Sequence, residues 1–206
     1  MNEAHQGPEA RRQLEIRTVE VITGRGRSIT LSSVRCPVRA RTSAVEECAH
    51  CGESAGIAQD VLSRGEWVCC QAQPAPEPAG PWPPVRLAMP REAVAVRPGV
   101  FAATASAALR ARGQPEAPVV DGEGRPVGWV TEAELLRARP GARVADAMAR
   151  SALAVSEAAP LSRAAALLVA HGLERVPVVS GDGVVVGVLS ALDVLGWLAA
   201  AEQMIG

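Results

Sequence analysis

A gapless internal repeat restricts this chain more than any other feature. At a constant offset of 59 it pairs Met89 with Met148, Arg91 with Arg150, Val96 with Val155 and Leu109 with Leu168. The same offset pairs Pro118 with Pro177, Val119-Val120 with Val178-Val179, Gly122 with Gly181, Gly124 with Gly183, Gly128 with Gly187 and Thr131 with Ser190. A period of this size held in strict register is the mark of one supersecondary unit used twice.

Each copy predicts the same order of elements. A short strand (Ala93 to Val96; Leu153 to Val155) leads to an Ala/Leu helix (about Ala102 to Ala111; about Leu161 to Ala170). Two strands follow, Pro118 to Val120 with Val127 to Val130, and Pro177 to Val179 with Val184 to Leu189. They flank the turns Asp121-Gly122-Glu123-Gly124 and Gly181-Asp182-Gly183. A closing helix starts just after Thr131 and after Ser190.

This order, with Arg175-Val176-Pro177-Val178-Val179, the Gly-rich turn and Gly187-Val188-Leu189-Ser190-Ala191-Leu192-Asp193, resembles the CBS-domain pair, or Bateman module, over roughly residues 87 to 206. The resemblance implies an α/β (α+β) fold of two β-α-β-β-α repeats. It implies a regulatory protein that binds an adenosine-type ligand: AMP, ADP, ATP, S-adenosylmethionine or a related dinucleotide. It also implies pairing of two modules into a homodimer, for which the Ala/Leu-rich segment Leu195 to Ala201 supplies apolar surface.

The motif Ser190-x-x-Asp193, with its counterpart Thr131-x-x-Glu134, has two readings. It is a capping box, in which the hydroxyl accepts from an early backbone N–H and the acid reaches back. The same helix start also suits a phosphate, because its N–H groups are unpaired and lie at the positive end of the helix dipole. A carboxylate there repels phosphate but accepts from the two ribose hydroxyls. The resemblance assigns Ser190 and Asp193 these phosphate and ribose contacts. Arg175, Val176 and Pro177 at the neighbouring strand complete the expected set, with Arg175 within reach of a phosphate. In the first copy Glu134 stands where the family carries Asp, which moves the carboxylate out by roughly 1.5 Å. Glu116 there replaces Arg175. The second copy is therefore the expected site, with Thr131 and Glu134 the weaker one.

All five cysteines lie between Cys36 and Cys70. The knuckle Cys48-Ala49-His50-Cys51 with Cys36 before it and Cys69 after it suits a tetrahedral structural zinc, with Cys70 as the alternate fourth ligand. Reduced structural thiols are the competing reading, and an iron–sulfur cluster could use the same ligands. A unit of residues 14–70 with few large apolar side chains gains from such a metal. Around Thr23-Gly24-Arg25-Gly26-Arg27, Ile16 to Ile22 and Ser28 to Val34 alternate as a β-hairpin, and a small zinc-ribbon-like β domain is expected.

The expected map is a tail of residues 1–13, the cysteine domain 14–70, a Pro-rich linker 71–86, and the two repeats 87–146 and 147–206. Six prolines in fourteen residues make the linker a semi-extended spacer. Its polar start, Met1 to Arg12, gives no sign of a secretory signal, so a cytoplasmic location is expected. The apolar run Gly183 to Ala201 carries Asp193 and Gly187, and reads as a buried strand and helix in place of a membrane span.

Two other functions compete. Arg35, Arg39 and Arg41 beside Cys36 fit a zinc-ribbon regulator that contacts nucleic acid, although no aromatic residues interleave with them. Cys48-x-x-Cys51 fits a thiol redox enzyme. No catalytic residue is assigned. Of three histidines none lies near a nucleophile motif, and His171 with Gly172 reads as a helix end.

Overall fold

The computed structural model describes residues 12–24, 27–37, 41–51, 54–60, 65–70, 82–90, 92–150 and 153–203. They fall into two compact units, one within residues 12–17 and 32–70, the other within residues 18–31 and 82–203. Two long strands, β1 (Arg12–Ile22) and β2 (Ser28–Cys36), each contribute one half to either unit.

In the smaller unit β3 (Arg41–Ala44) pairs with the end of β2, Ser33 opposite Ala44 through Cys36 opposite Arg41. A single helical turn, α1 (Val45–Cys48), follows. β4 (Ser54–Asp60) and β5 (Gly65–Cys70) form an antiparallel pair, and β5 also pairs with the start of β1 from Arg12–Cys70 to Glu15–Trp67. Val34 and Cys36 are buried two residues apart on β2, as are Val68 and Cys70 on β5. That spacing is the two-residue period of a strand with one face covered.

The larger unit holds both repeats. The first is β6 (Glu92–Val96), α2 (Ala102–Ala111), β7 (Glu116–Val120), β8 (Pro126–Thr131), α3 (Glu132–Arg137) and the one-turn helix α4 (Val144–Ala147). The second is β9 (Val155–Ser156), α5 (Leu161–His171), β10 (Arg175–Val179), β11 (Val185–Ser190) and α6 (Ala191–Gln203). α2 buries Ala102, Ala105 and Leu109, and α5 buries Leu161, Ala164 and Leu168 at the equivalent positions. Small alanines let each helix lie close on its sheet, while one leucine in α2 and two in α5 fill the space. The turns also correspond. The Asp121 carboxylate accepts from the N–H groups of Glu123 and Arg125, and the Ser180 hydroxyl from those of Asp182 and Val184. Gly124 and Gly183 close them at φ 83° and 80°. The apolar run Gly183 to Ala201 resolves into β11 and α6, and among the described residues no helix is long and apolar enough to cross a membrane.

The repeats complete each other. Val85 sits in the core of the second copy and Val144, its equivalent, in the core of the first, both fully buried. The backbone bonds repeat at the same offset: Val85 N–H to Ala159 O and Val144 N–H to Val100 O; Leu161 N–H to Pro83 O and Ala102 N–H to Ala142 O. Trp82 packs on Trp197 of α6, ring centres 6.0 Å apart. Residues 82–86 of the expected spacer are thus part of the second copy's core, whereas residues 71–81 lie outside the described residues.

The remaining half of β1 departs from the expected domain map. Thr18–Ile22 pairs parallel with β6, from Thr18–Glu92 to Ile22–Val96. Ile22 enters the first copy's core, while Val19 and Val21 pack with Ala93, Ala95, Val120 and Val185. The hairpin turn is held by Thr23, whose N–H and hydroxyl both donate to Arg27 O. Residues 18–31 therefore fold with the repeats and not with the cysteines. The alternation of β1 identifies a strand but carries no information about which partner extends it.

Candidate functional site

The motif at the end of each repeat's last strand is a capping box in both copies. The Ser190 hydroxyl and N–H donate to Asp193 Oδ2 at 2.6 and 2.7 Å, and the Asp193 N–H returns to Ser190 Oγ at 3.1 Å. The Thr131 hydroxyl and N–H both donate to Glu134 Oε2 at 2.8 Å, and the Glu134 N–H returns at 3.2 Å. Glu134 thus closes the box as tightly as Asp193. The extra methylene is taken up within the box.

What differs is the surroundings. A cleft of about 180 Å³ lies beside Ser190 and Asp193, lined also by Arg175 and Val188 of the second copy and by Pro90, Glu92, Ala93, Val94, Gln114 and Glu116. Arg175 and Ser190 face each other across the β10–β11 ladder, which brings the guanidinium to the start of α6. The guanidinium pairs with Glu116, Nε to Oε1 3.6 Å, and donates to Gln114 Oε1 at 3.2 Å. Asp193 uses Oδ2 for the cap, and no hydrogen bond to its Oδ1 is formed among the described residues. The site combines a cation, a hydroxyl at a helix start and a carboxylate, a set able to accept from a diol and donate to a polar substituent.

Val176 and Pro177 lie beside this cleft in sequence but do not line it. Val176 is fully buried in the second copy's core and Pro177 is buried on β10. Glu116 is the reverse case. In sequence it stands as the anionic counterpart of Arg175 in the first copy, and in the structure it lines the second copy's cleft. Glu92 and Gln114 join it there, and nothing local in the sequence marks them. The signal is the exchange itself, which sets β6 of one copy against β11 of the other.

Around Thr131 and Glu134 the space is used differently. Trp129 occupies the position equivalent to Val188, and its indole N–H donates to Glu116 Oε2 at 2.7 Å. A large ring therefore stands where a small valine opens the second cleft. Glu134 borders a shallow surface hollow with Arg137, Arg139 and Asp146.

The expected metal centre is not seen among the described residues, which leave out the side chain of Cys69. Among the described residues no three His, Cys, Asp or Glu side chains stand close enough to hold a metal ion. Cys36 and Cys70 are buried on β2 and β5, where a thiol packs as a small apolar group. Cys48 ends α1 and Cys51 is three residues on, with its N–H bonded to Cys48 O at 3.2 Å. The side chain of Cys69 lies outside the described residues. Of the basic residues beside Cys36, Arg35 and Arg41 are on the paired strands β2 and β3, and Arg39 lies outside the described residues.

Comparison with known proteins agrees with this architecture. Over 76 residues the chain is 32 % identical to inosine-5′-monophosphate dehydrogenase of Nitrosopumilus maritimus, a match to 37 % of this chain but only 16 % of that protein's length. CBSX2 in complex with AMP, a CBS-pair protein of Arabidopsis thaliana, is 28 % identical with a TM-score of 0.51, covering 60 % of this chain and 98 % of that one. The CBS domain pair of protein MJ0100, in complex with 5′-methylthioadenosine and S-adenosyl-L-methionine, shares the fold at 20 % identity and a TM-score of 0.53, over 59 % of this chain and 99 % of that one. The model of the CBS domain matches residues 85–141 and 144–200, more than half of the chain, and the chain belongs to the CBS-domain family.

Proposed function

We propose that the chain is a regulatory sensor that binds an adenosine-type ligand (AMP, ADP, ATP or S-adenosylmethionine) in the cleft between Arg175 and Asp193, and that its role is binding, not catalysis. The observation that carries this reading is the convergence of Arg175, Ser190 and Asp193 on one cleft. The AMP held by CBSX2 supports the ligand class. In this reading the free oxygen of Asp193 accepts from the ribose hydroxyls, and Ser190 with Arg175 meets the 5′ substituent. The first copy is the poorer site in this reading, because Trp129 holds the position that Val188 has beside the second cleft. We further propose a homodimer formed through the closing helices, on which Leu136 and its repeat equivalent Leu195 are 60 % and 58 % exposed.

Calorimetric titration with these four ligands tests the site. Asp193→Ala should weaken binding roughly tenfold to a hundredfold, equivalent to about 1.5–3 kcal/mol for a charge-assisted contact. Glu134→Ala loses the matching cap in the first copy and should bind as the parent does. Equal affinity of Asp193→Ala and parent for every ligand would reject the assignment. Light scattering tests the dimer: a monomer of about 21 kDa at micromolar concentration rejects it.

A further inference from the structure

We infer that the second-copy cleft selects adenosines whose 5′ substituent is neutral or cationic, a thioether or a sulfonium, over adenosines that carry phosphate. The inference rests on the adenosine reading of the same cleft and narrows its ligand. Among the described residues three carboxylates, Glu92, Glu116 and Asp193, line the cleft against a single guanidinium, that of Arg175. Their formal balance is negative, and in a cleft of about 180 Å³, below the roughly 300–1,000 Å³ usual for ligand pockets, any bound group sits close to all of them.

The Arg175 guanidinium is already engaged. Arg175 faces Glu116 at 3.6 Å and donates to Gln114, so a phosphate must compete with an internal carboxylate for it. Glu116 is not free to swing aside, because the Trp129 indole N–H holds its other oxygen at 2.7 Å. The helix start offers little compensation. The Asp193 carboxylate accepts from the Ser190 N–H and hydroxyl, and the Ser190 oxygen takes the Asp193 N–H, so these donors already have an acceptor, which for both Ser190 groups is itself negative. A sulfonium or an amine gains from these carboxylates, a thioether is indifferent to them, and a phosphate dianion is repelled.

Titration of the full chain with 5′-methylthioadenosine, S-adenosylmethionine, AMP and ATP decides the matter. The expected order has the two sulfur ligands at least about tenfold tighter than AMP, and ATP weakest. Glu116→Gln should narrow the gap between methylthioadenosine and AMP by about tenfold. Glu92→Gln, at the exposed first position of β6, should narrow it in the same direction and serves if the former fails to fold, with far-UV circular dichroism as the check. AMP or ATP binding as tightly as methylthioadenosine would overturn the inference while leaving the adenosine reading intact, and so would an unchanged gap in a folded variant. If none of the four binds, the adenosine reading itself fails and this inference falls with it.

Discussion

Arg175 and Glu116 occupy equivalent positions of the two repeats, 59 residues apart, and face each other with Nε 3.6 Å from Oε1. Each is the first residue of its strand, β10 and β7. An exact repeat would have set two like charges at this point. The divergence of one copy to Glu and the other to Arg turns that repulsion into a pair, and it makes a two-fold-related position asymmetric in its chemistry.

The pair should be weak. Its side chains are 30 % and 15 % exposed, and the separation is beyond that of a good hydrogen bond. A double-mutant cycle of Arg175→Met and Glu116→Gln, read by urea denaturation, should give a coupling below about 1 kcal/mol. A coupling above roughly 2 kcal/mol would mean that the pair holds the module together, and that no ligand can part it cheaply.

Glu20 of β1 and Arg112 at the end of α2 form a two-pronged ion pair, and it fastens the added strand to the first repeat. The hydrogen bond from Arg112 first, and that of Ser28 second, lower the Glu20 pKa from 4.5 to about 2. A depressed carboxylate stabilises the fold above its unfolded value and loses that contribution as pH falls from about 4.5 through about 2. With both side chains 30 % exposed, screening reduces the contribution to about 1–2 kcal/mol. Glu20→Gln should therefore cost about that much at pH 7 and almost nothing near pH 2, measured by denaturation at both values. An equal cost at both would exclude the charge as its cause.

The repeat made much of this fold legible. Elements of one period must adopt one structure twice, and the turns Asp121–Gly124 and Ser180–Gly183 do so although Asp and Ser supply the acceptor. The capping boxes at Thr131 and Ser190 were legible for the same local reason. The cleft was only half legible. Its Arg175, Ser190 and Asp193 lie within one copy, whereas Glu92, Gln114 and Glu116 come from the other copy through packing between β6 and β11, which no local pattern encodes. The cysteine spacing measures distance along the chain, whereas Cys36 and Cys70 are placed by the register of β2 and β5, which the spacing does not encode. Likewise the alternation of Thr18–Ile22 fits a hairpin in either unit, and burial of Ile22 beside Val96 decides the matter.

The exchange of core residues predicts that damage before one copy is felt in the other. Val85→Ala should cost about 1–3 kcal/mol, as for other buried truncations, and the disturbance should centre on α5 and β10 of the second copy. Val144→Ala should cost a similar amount and disturb α2 and β7 of the first. Hydrogen exchange with mass spectrometry separates the two patterns. Loss of protection confined to residues 92–120 in Val85→Ala would contradict the crossed arrangement.

Two glycines at equivalent positions should tolerate alanine unequally. Gly128 and Gly187 each sit under the methionine that precedes the other repeat, Met148 and Met89 respectively. A Cβ on Gly187 would lie 2.9 Å from Met89 Cε and 3.0 Å from its Sδ, atoms at the flexible end of an unbranched side chain that can turn away. A Cβ on Gly128 would lie 2.9 Å from Met148 Sδ and, in addition, 2.8 Å from the carbonyl oxygen of Ala149. That oxygen accepts from the Trp129 N–H at 2.9 Å, while the Ala149 N–H donates to Trp129 O at 2.8 Å, so the backbone there is pinned from both sides. Relief of the clash must break or stretch this pair of bonds. Gly187→Ala should cost less than about 1 kcal/mol, and Gly128→Ala about 2–3 kcal/mol, the range of an overpacked site that cannot yield. Thermal denaturation of the two variants side by side measures the difference. Equal losses, or a larger loss for Gly187→Ala, would show that the methionine end is as rigid as the paired backbone and that the two contacts are alike after all.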